Sequence, residues 1–158
     1  MENSKIIVDN TGKLILENAR ILYRNFSGAA SAYNHEGDRN FCVIIDDPDA
    51  IADLQEAGWN LKFRAPREEE DPTLHYLKVN VSYKYRGPKI FRHIGNSTVE
   101  VLEDTVSELD KDDILYCDMV IAPYRYSRQG QEGISAYLQE LHAVIRPDYF
   151  GNKYANME

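Results

Sequence analysis

Basic and aromatic side chains stand close together at several places in this sequence, mostly at the expected ends of strands. Cationic groups neutralise phosphates and aromatic rings stack on nucleobases, with about 1–3 kcal/mol for each stacked base. We expect the rings of Phe41 and Phe63 to lie in the core, and those of Tyr33 and Tyr126 to be exposed. The pattern indicates a surface for a single nucleic-acid strand, with the candidates Arg24, Phe26, Tyr33, Arg39, Lys62, Arg64, Tyr124, Tyr126 and Arg128.

A second candidate surface follows from the alternation of residues 73–85, which predicts a strand. Leu77, Val79, Val81, Tyr83 and Tyr85 fall on one face, which we interpret as the core face. The opposite face is polar and cationic, as an ordinary solvated strand face also is. Residues 72–99 contain five cations and no acid, whereas residues 100–113 contain seven acids and one lysine. The cationic candidates from this stretch are Lys78, Lys84, Arg86, Lys89 and Arg92.

The composition limits the classes of protein to which this chain can belong. It has 158 residues, enough for one domain, and its 18 cations and 26 acids give a net charge of −8. Binding to a polyanion therefore depends on a local basic patch. Cys42 and Cys117 lie in apolar runs and are interpreted as buried free thiols, which is typical of a reducing, cytoplasmic setting. We find no apolar stretch of the ~20 residues that a membrane helix needs and no signal peptide.

The sequence offers little for catalysis. It has neither a phosphate-binding glycine loop nor a dinucleotide fingerprint. The four histidines are scattered and no cysteine is near them, so we expect no metal, no cofactor and no enzyme activity. Asp46, Asp47 and Asp49 could hold a cation, but capping of a following helix explains them without one.

Short β-type runs separated by turns predict a mainly β domain, either a small, partly closed barrel or a sandwich. A long first strand over residues 13–26 changes parity between residues 16 and 19, which indicates a bulge. Residues 46–58 predict a short helix, and residues 100–113 an acidic, solvated segment with one helical turn. We expect a single domain over residues 1–147 and a loosely ordered tail over residues 148–158.

The late part of the chain resembles a known family. The segment 113–126, which ends in Pro123-Tyr124-Arg125-Tyr126, is followed by a polar loop and the alternating segment 133–145. Together they resemble the closing β-hairpin of phage single-stranded DNA-binding proteins with an OB fold. Segments 18–28 and 37–45 are similar to short phage proteins of the same role. The resemblance spans most of residues 13–146.

The resemblance implies an OB-like, partly closed antiparallel β-barrel with one or two short helices. It implies sequence-nonspecific binding of single-stranded DNA in phage replication or recombination, inside the host cell. The binding face would include Arg24, Phe26, Arg39, Lys62, Arg64, Lys78, Lys84, Arg86, Tyr124 and Tyr126. Replication or recombination proteins and a second copy of the chain stay open as further partners.

One departure from the family pattern limits the resemblance, and two other classes of function stay open. Replicative members of the family end in a strongly acidic tail, whereas residues 148–158 hold two acids and one lysine. Recruitment of partners through this tail is therefore not implied. A phage protein-interaction module of the virion or of anti-defence, or a binder of small nucleotides, would also suit a β-barrel with cationic loops.

Overall fold

The computed structural model describes residues 4–66, 68 and 73–147, and the predicted loose tail over residues 148–158 lies outside this range. The described residues form ten strands, one α-helix and one short 3-10 helix. Their bounds are β1 Lys5–Val8, β2 Leu14–Ala19, β3 Ile21–Asn25, β4 Arg39–Ile44, α1 Pro48–Ala57, β5 Leu61–Arg64, β6 Leu74–Val81, β7 Lys89–Ile94, β8 Ser97–Val101, the 3-10 helix Val106–Asp110, β9 Ile114–Arg128 and β10 Gln131–Ile145.

The strand order closes most of a barrel. Neighbouring strands follow the order β1-β2-β9-β10-β6-β4-β3, and the chain joins β2 to β3 directly through Arg20. A mainly β, OB-like and partly closed barrel is therefore confirmed. One detail differs from the prediction, because β10 runs parallel to both β6 and β7 while the other pairs are antiparallel.

The predicted bulge in the first strand is present. The pairing of β2 with β9 shifts register between Leu16 and Ala19, and Asn18 has a positive φ of 55°. The Asn18 N–H donates to an Asp118 carboxylate oxygen at 2.9 Å. The bulge bends the first strand, so that β2 pairs with β9 and β3 pairs with β4 on the far side of the barrel.

The helix begins and ends as its residue types predict. Asp47 accepts a hydrogen bond from the Asp49 N–H at 3.0 Å, and Pro48 occupies the first turn. Gly58 ends the helix with a φ of 99°. Capping therefore accounts for the Asp47 carboxylate. None of the helices in the described part of the chain is long and apolar enough to span a membrane.

The acidic segment is more structured than expected. Its start belongs to β8, and the 3-10 helix packs beside β3. The Asp110 carboxylate accepts hydrogen bonds from the backbone N–H groups of Phe26 and Ser27 at 2.7 and 3.0 Å. Asp113 binds the Arg146 guanidinium at 2.8 Å. These acids fasten the segment to the barrel, while most of its residues are exposed to solvent and its one helical turn is present, as predicted.

The barrel interior is apolar and follows the predicted alternation of β6. Leu77, Val79 and Val81 are buried. β6 ends at Val81, however, so Tyr83 is only half-buried and Tyr85 is 96% exposed. Tyr83 still packs against the core as predicted, whereas the placement of Tyr85 in the core face was wrong, because the strand alternation does not continue through the turn after Val81.

Phe41 lies in the core as predicted, whereas Phe63 is 68% exposed. Phe63 belongs to the short strand β5, which pairs with β6 alone, and this explains why nothing covers its ring fully. Both cysteines are buried and free, in agreement with the prediction. Burial raises the pKa of the Cys117 thiol to about 12, and it also raises the pKa of Cys42.

Candidate nucleic-acid interface

A groove crosses one face of the barrel where the turn over residues 82–88 approaches β9 and β10. Two cavities of about 470 and 520 Å³ share Ser82, Lys84 and Tyr137, so they form one continuous depression. The Asn80 side-chain amide donates to the Ala136 carbonyl at 3.1 Å and fixes β6 against β10 beneath it. We call this depression the groove.

One half of the groove is lined by tyrosines. Tyr85 lies in the turn, Tyr124 on β9 and Tyr137 on β10, and the three side chains are 96%, 58% and 37% exposed. The rings of Tyr124 and Tyr137 meet edge to face with centroids 5.8 Å apart. Lys84 reaches the same half. Exposed rings beside a cation can stack on bases while the cation contacts a phosphate.

The other half of the groove contains charges of both signs. Arg39 and Lys84 line it together with Asp38 and Glu103. The Arg39 guanidinium lies 5.4 Å from the centroid of the Tyr83 ring and donates to the Phe26 carbonyl at 3.0 Å. Burial raises the pKa of the Tyr83 hydroxyl, so this phenol stays neutral. Arg39 therefore has structural contacts as well as a place in the groove.

Further predicted cations are exposed but do not line the groove. Lys78 points outward from β6, and Lys62 lies on β5 opposite Tyr76. Arg86 is exposed in the turn beside Lys84, and Lys89 is exposed at the start of β7. These four side chains are free to meet solvent and therefore to meet an anion.

Phe26 cannot serve as a stacking surface in this conformation. Its side chain is fully buried, and its ring stacks on Phe41 with centroids 5.2 Å apart. The sequence placed Phe26 at the end of a strand, where exposure is common. The acidic segment covers this position instead, and Asp110 binds the Phe26 backbone.

Arg24 and Arg92 hold the acidic segment instead of facing the groove. Arg24 donates from Nη1 to the carbonyls of Leu109 and Asp112 at 2.8 and 2.6 Å. Arg92 donates through Nε and Nη2 to both oxygens of Asp112 at 2.8 Å. This forked contact raises the pKa of Arg92. Both guanidinium groups are half-buried and engaged, so neither offers a free cation to a phosphate.

The remaining candidates lie on loops at the rim of the barrel. Tyr33 is 96% exposed at the loop before β4, as predicted. Arg128 is exposed at the tip of the β9–β10 hairpin. Tyr126 is half-buried instead of fully exposed, because its hydroxyl donates to the Asn60 side-chain oxygen at 3.0 Å. It lines a separate cavity of about 490 Å³ beside the end of α1.

Two of the histidines that look scattered in the sequence meet in the fold. His93 Nε2 and His142 Nδ1 are 2.8 Å apart, and His142 Nε2 lies 2.9 Å from a Glu140 carboxylate oxygen. The pairing of β7 with β10 brings them together. Among the described residues, no three His, Cys, Asp or Glu side chains are arranged to hold a metal ion.

Sequence reasoning missed Tyr137 and gave Tyr85 the wrong environment. The signal for Tyr137 was available, because Ser135, Tyr137 and Gln139 alternate with buried Ile134, Ala136 and Leu138. The partner strand that makes this outward face a groove wall is distant in sequence. No local pattern could have supplied it.

The fold and groove place the chain in the class of OB-fold proteins with an aromatic and cationic face. A family model described as "Putative phage ssDNA-binding domain" matches residues 3–158, and the chain belongs to this family. No curated protein matches the sequence.

Three solved structures of a single-stranded DNA-binding protein from bacteriophage Enc34 have a similar fold. The single-stranded DNA-binding protein from bacteriophage Enc34 in complex with ssDNA is 13% identical and has a TM-score of 0.58. The alignment covers 94% of this chain and 93% of that one. The same protein in another structure is 13% identical, with a TM-score of 0.57 and coverage of 96% and 93%. Its C-terminal truncation is 12% identical, with a TM-score of 0.57 and coverage of 94% and 93%.

Proposed function

We propose that this chain binds single-stranded DNA without strong sequence preference, in phage DNA replication or recombination inside the host cell. The observation that carries the proposal is the half-groove in which Tyr85, Tyr124 and Tyr137 surround Lys84. Membership of the phage ssDNA-binding family supports it independently.

The proposed mechanism uses stacking and charge neutralisation, with no catalytic step. Bases stack on the exposed tyrosine rings, a contact that tolerates any sequence because every base has a π-face. Lys84, Arg86 and Lys89 contact phosphates along the turn and the start of β7. A single strand presents unpaired bases that can stack on these rings, whereas a duplex keeps its bases stacked and paired in its interior.

The first test is a fluorescence-anisotropy titration with labelled oligo-dT of about 30 nucleotides, which offers more than one OB-fold site of ~4–16 nucleotides. We expect salt-sensitive binding that is much tighter than binding to a duplex of equal length. No binding to oligo-dT at low salt would overturn the proposal.

The second test reverses charge in the groove. Lys84→Glu with Arg86→Glu should weaken binding at least tenfold, since two cations are lost and two acids face the phosphates. The control is Lys5→Glu with Lys111→Glu, which changes the net charge equally at exposed sites outside the groove. Equal losses in both double variants would mean that overall charge, not the groove, governs binding. An unchanged dissociation constant in the groove variant would remove these two residues from the site.

A further inference from the structure

A second pair of aromatic rings lies on the outer face of the barrel, away from the groove. The rings of Tyr23 on β3 and Tyr76 on β6 meet edge to face, with centroids 5.7 Å apart and planes at 73°. Tyr23 is 51% exposed and Tyr76 is half-buried. One ring therefore presents an open face, and the other supports it.

The backbone at Tyr23 is strained in a way that places this ring. Tyr23 has a φ of +51°, which is uncommon for a bulky residue and is energetically unfavourable. It lies where the pairing of β3 with β4 shifts register between Leu22 and Asn25. Bulges of this kind re-aim a side chain and are enriched beside functional sites. The strain is the first sign that the ring's position serves more than packing.

Cations surround the pair. Arg64 Nη1 donates to the Tyr23 hydroxyl at 2.6 Å, and Lys62 lies directly opposite Tyr76 in the β5–β6 pairing. Lys78 follows two residues along the same face of β6. Lys78 lies opposite Cys42 in the β4–β6 pairing, as Lys62 lies opposite Tyr76 in the β5–β6 pairing, so both lysines belong to this outer face.

β6 connects this face to the groove. Tyr76, Lys78 and Asn80 point the same way, and Asn80 lines the groove. Four residues of strand at ~3.3 Å each place the two ends about 13 Å apart. Since stacked bases repeat about every 3.4 Å, this span corresponds to about four nucleotides.

We propose that Tyr23 and Tyr76 form a second base-stacking platform, and that one DNA strand runs along β6 from this platform to the groove. Lys78 contacts a phosphate between the two stacking sites, while Lys62 and Arg64 contact the backbone at the platform. The proposal rests on the proposed function and adds the path of the strand to it. An oligonucleotide too short to reach both sites gains nothing from the platform.

The test compares oligo-dT of about three nucleotides, which is too short to span the distance of about 13 Å, with oligo-dT of about sixteen nucleotides, on the wild type and on variants, by anisotropy at low salt. Tyr23→Gly removes the ring and suits the positive φ, so its Tm should stay equal or rise. Tyr76→Leu removes the supporting ring.

The matched control is Phe63→Leu. Phe63 is an exposed aromatic residue of β5 whose side chain lies on the opposite side of the strand from Lys62 and Arg64. A Tyr124→Leu variant removes a groove ring and so measures how much the groove contributes to the binding of each oligonucleotide.

We expect Tyr23→Gly and Tyr76→Leu to weaken binding of the longer oligonucleotide about tenfold, within the range for one stacked base. Binding of the short oligonucleotide, which occupies the groove, should change less than twofold. Phe63→Leu should leave both unchanged. Tyr124→Leu should weaken both. If the wild type and both platform variants bind the longer strand equally well, the platform proposal is overturned, and the proposed function is unaffected. Failure of the wild type to bind any strand overturns the proposed function instead.

A second readout needs no variant and so does not depend on folding. The wild type is irradiated with oligonucleotides that carry 5-iododeoxyuridine, and the crosslinked tyrosines are mapped by mass spectrometry. We expect crosslinks at Tyr23 or Tyr76 with the longer strand in addition to those at Tyr85, Tyr124 or Tyr137. Crosslinks confined to the groove tyrosines would overturn the platform.

Discussion

At the scale of single residues, the same side-chain type has opposite roles depending on what lies over it. Phe26 and Tyr124 both come from runs of basic and aromatic residues near the end of a strand. One is fully buried against Phe41, and the other is 58% exposed in the groove. Arg92 and Lys84 differ in the same way, because Asp112 binds Arg92 in a forked ion pair while Lys84 faces solvent. Exposure therefore separates structural residues from candidate binding residues.

This contrast predicts a separation of stability from binding. Phe26→Ala should lower the free energy of unfolding by about 3–5 kcal/mol, because it opens a cavity in the core. Tyr124→Ala should change that free energy by less than about 0.5 kcal/mol and weaken ssDNA binding by about 1–3 kcal/mol. Chemical denaturation and anisotropy measure the two quantities. A Tyr124→Ala variant that is destabilised but binds normally would contradict this assignment.

At the scale of elements, the turn between β6 and β7 shapes the groove. Tyr83 packs against Gly87, where an added Cβ would lie 2.7 Å from the ring carbon Cδ1. Gly87 also has a φ of +72°, which glycine adopts without strain. The turn therefore depends on glycine here both for its backbone conformation and for the close approach of the ring. Lys84 and Tyr85 take their positions from it.

Gly87→Ala should thus deform the groove wall. We expect a loss of about 1–2 kcal/mol in stability from the positive φ, and a severalfold loss of ssDNA affinity from displacement of the turn. Gly95→Ala is the matched control, since its φ is +58° and an added Cβ meets no atom within 4 Å. It should lose similar stability but keep its affinity. Equal affinity of the two variants would show that the turn does not position the binding residues.

At the scale of the whole molecule, segregation of charge reconciles a net charge of −8 with binding to a polyanion. Three acids of the segment 100–113 make contacts inside the molecule. Asp110 accepts a hydrogen bond from the Phe26 backbone N–H, Asp112 forms an ion pair with Arg92, and Asp113 forms an ion pair with Arg146. The cations of the turn and of β6 stay exposed, and Glu103 is the residue of the acidic segment that lines the groove beside Lys84. Salt screens distant charges over about 10 Å at 0.1 M, so the local patch dominates the encounter.

The salt dependence of binding follows from this arrangement. If about four phosphates are neutralised, log of the binding constant should fall against log of salt with a slope of about −3, at ~0.7 for each phosphate of a single strand. Anisotropy titrations at several salt concentrations give this slope. Lys84→Glu with Arg86→Glu should make it shallower by more than one unit. A slope near zero would mean that phosphate contacts do not drive binding.

The sequence by itself determined the local elements and the inward faces of several strands. Alternation placed Leu77, Val79 and Val81 in the core, and the parity change after Leu16 located the bulge. Asp47 and Gly58 fixed the ends of α1. These features depend on residues within a few positions of one another, so the chain carries them locally. The resemblance to phage proteins in segments 113–126 and 133–145 added the family, which the family model confirms.

Only the tertiary structure decided which aromatic and basic side chains are accessible. The acidic segment buries Phe26 and occupies Arg24 and Arg92, while Phe63 stays exposed on a short edge strand. Tyr137 becomes a groove residue because the turn over residues 82–88 approaches β10 from a distant part of the sequence. The physical reason is that periodicity assigns a side chain to a face, whereas its exposure depends on what the rest of the fold lays over that face.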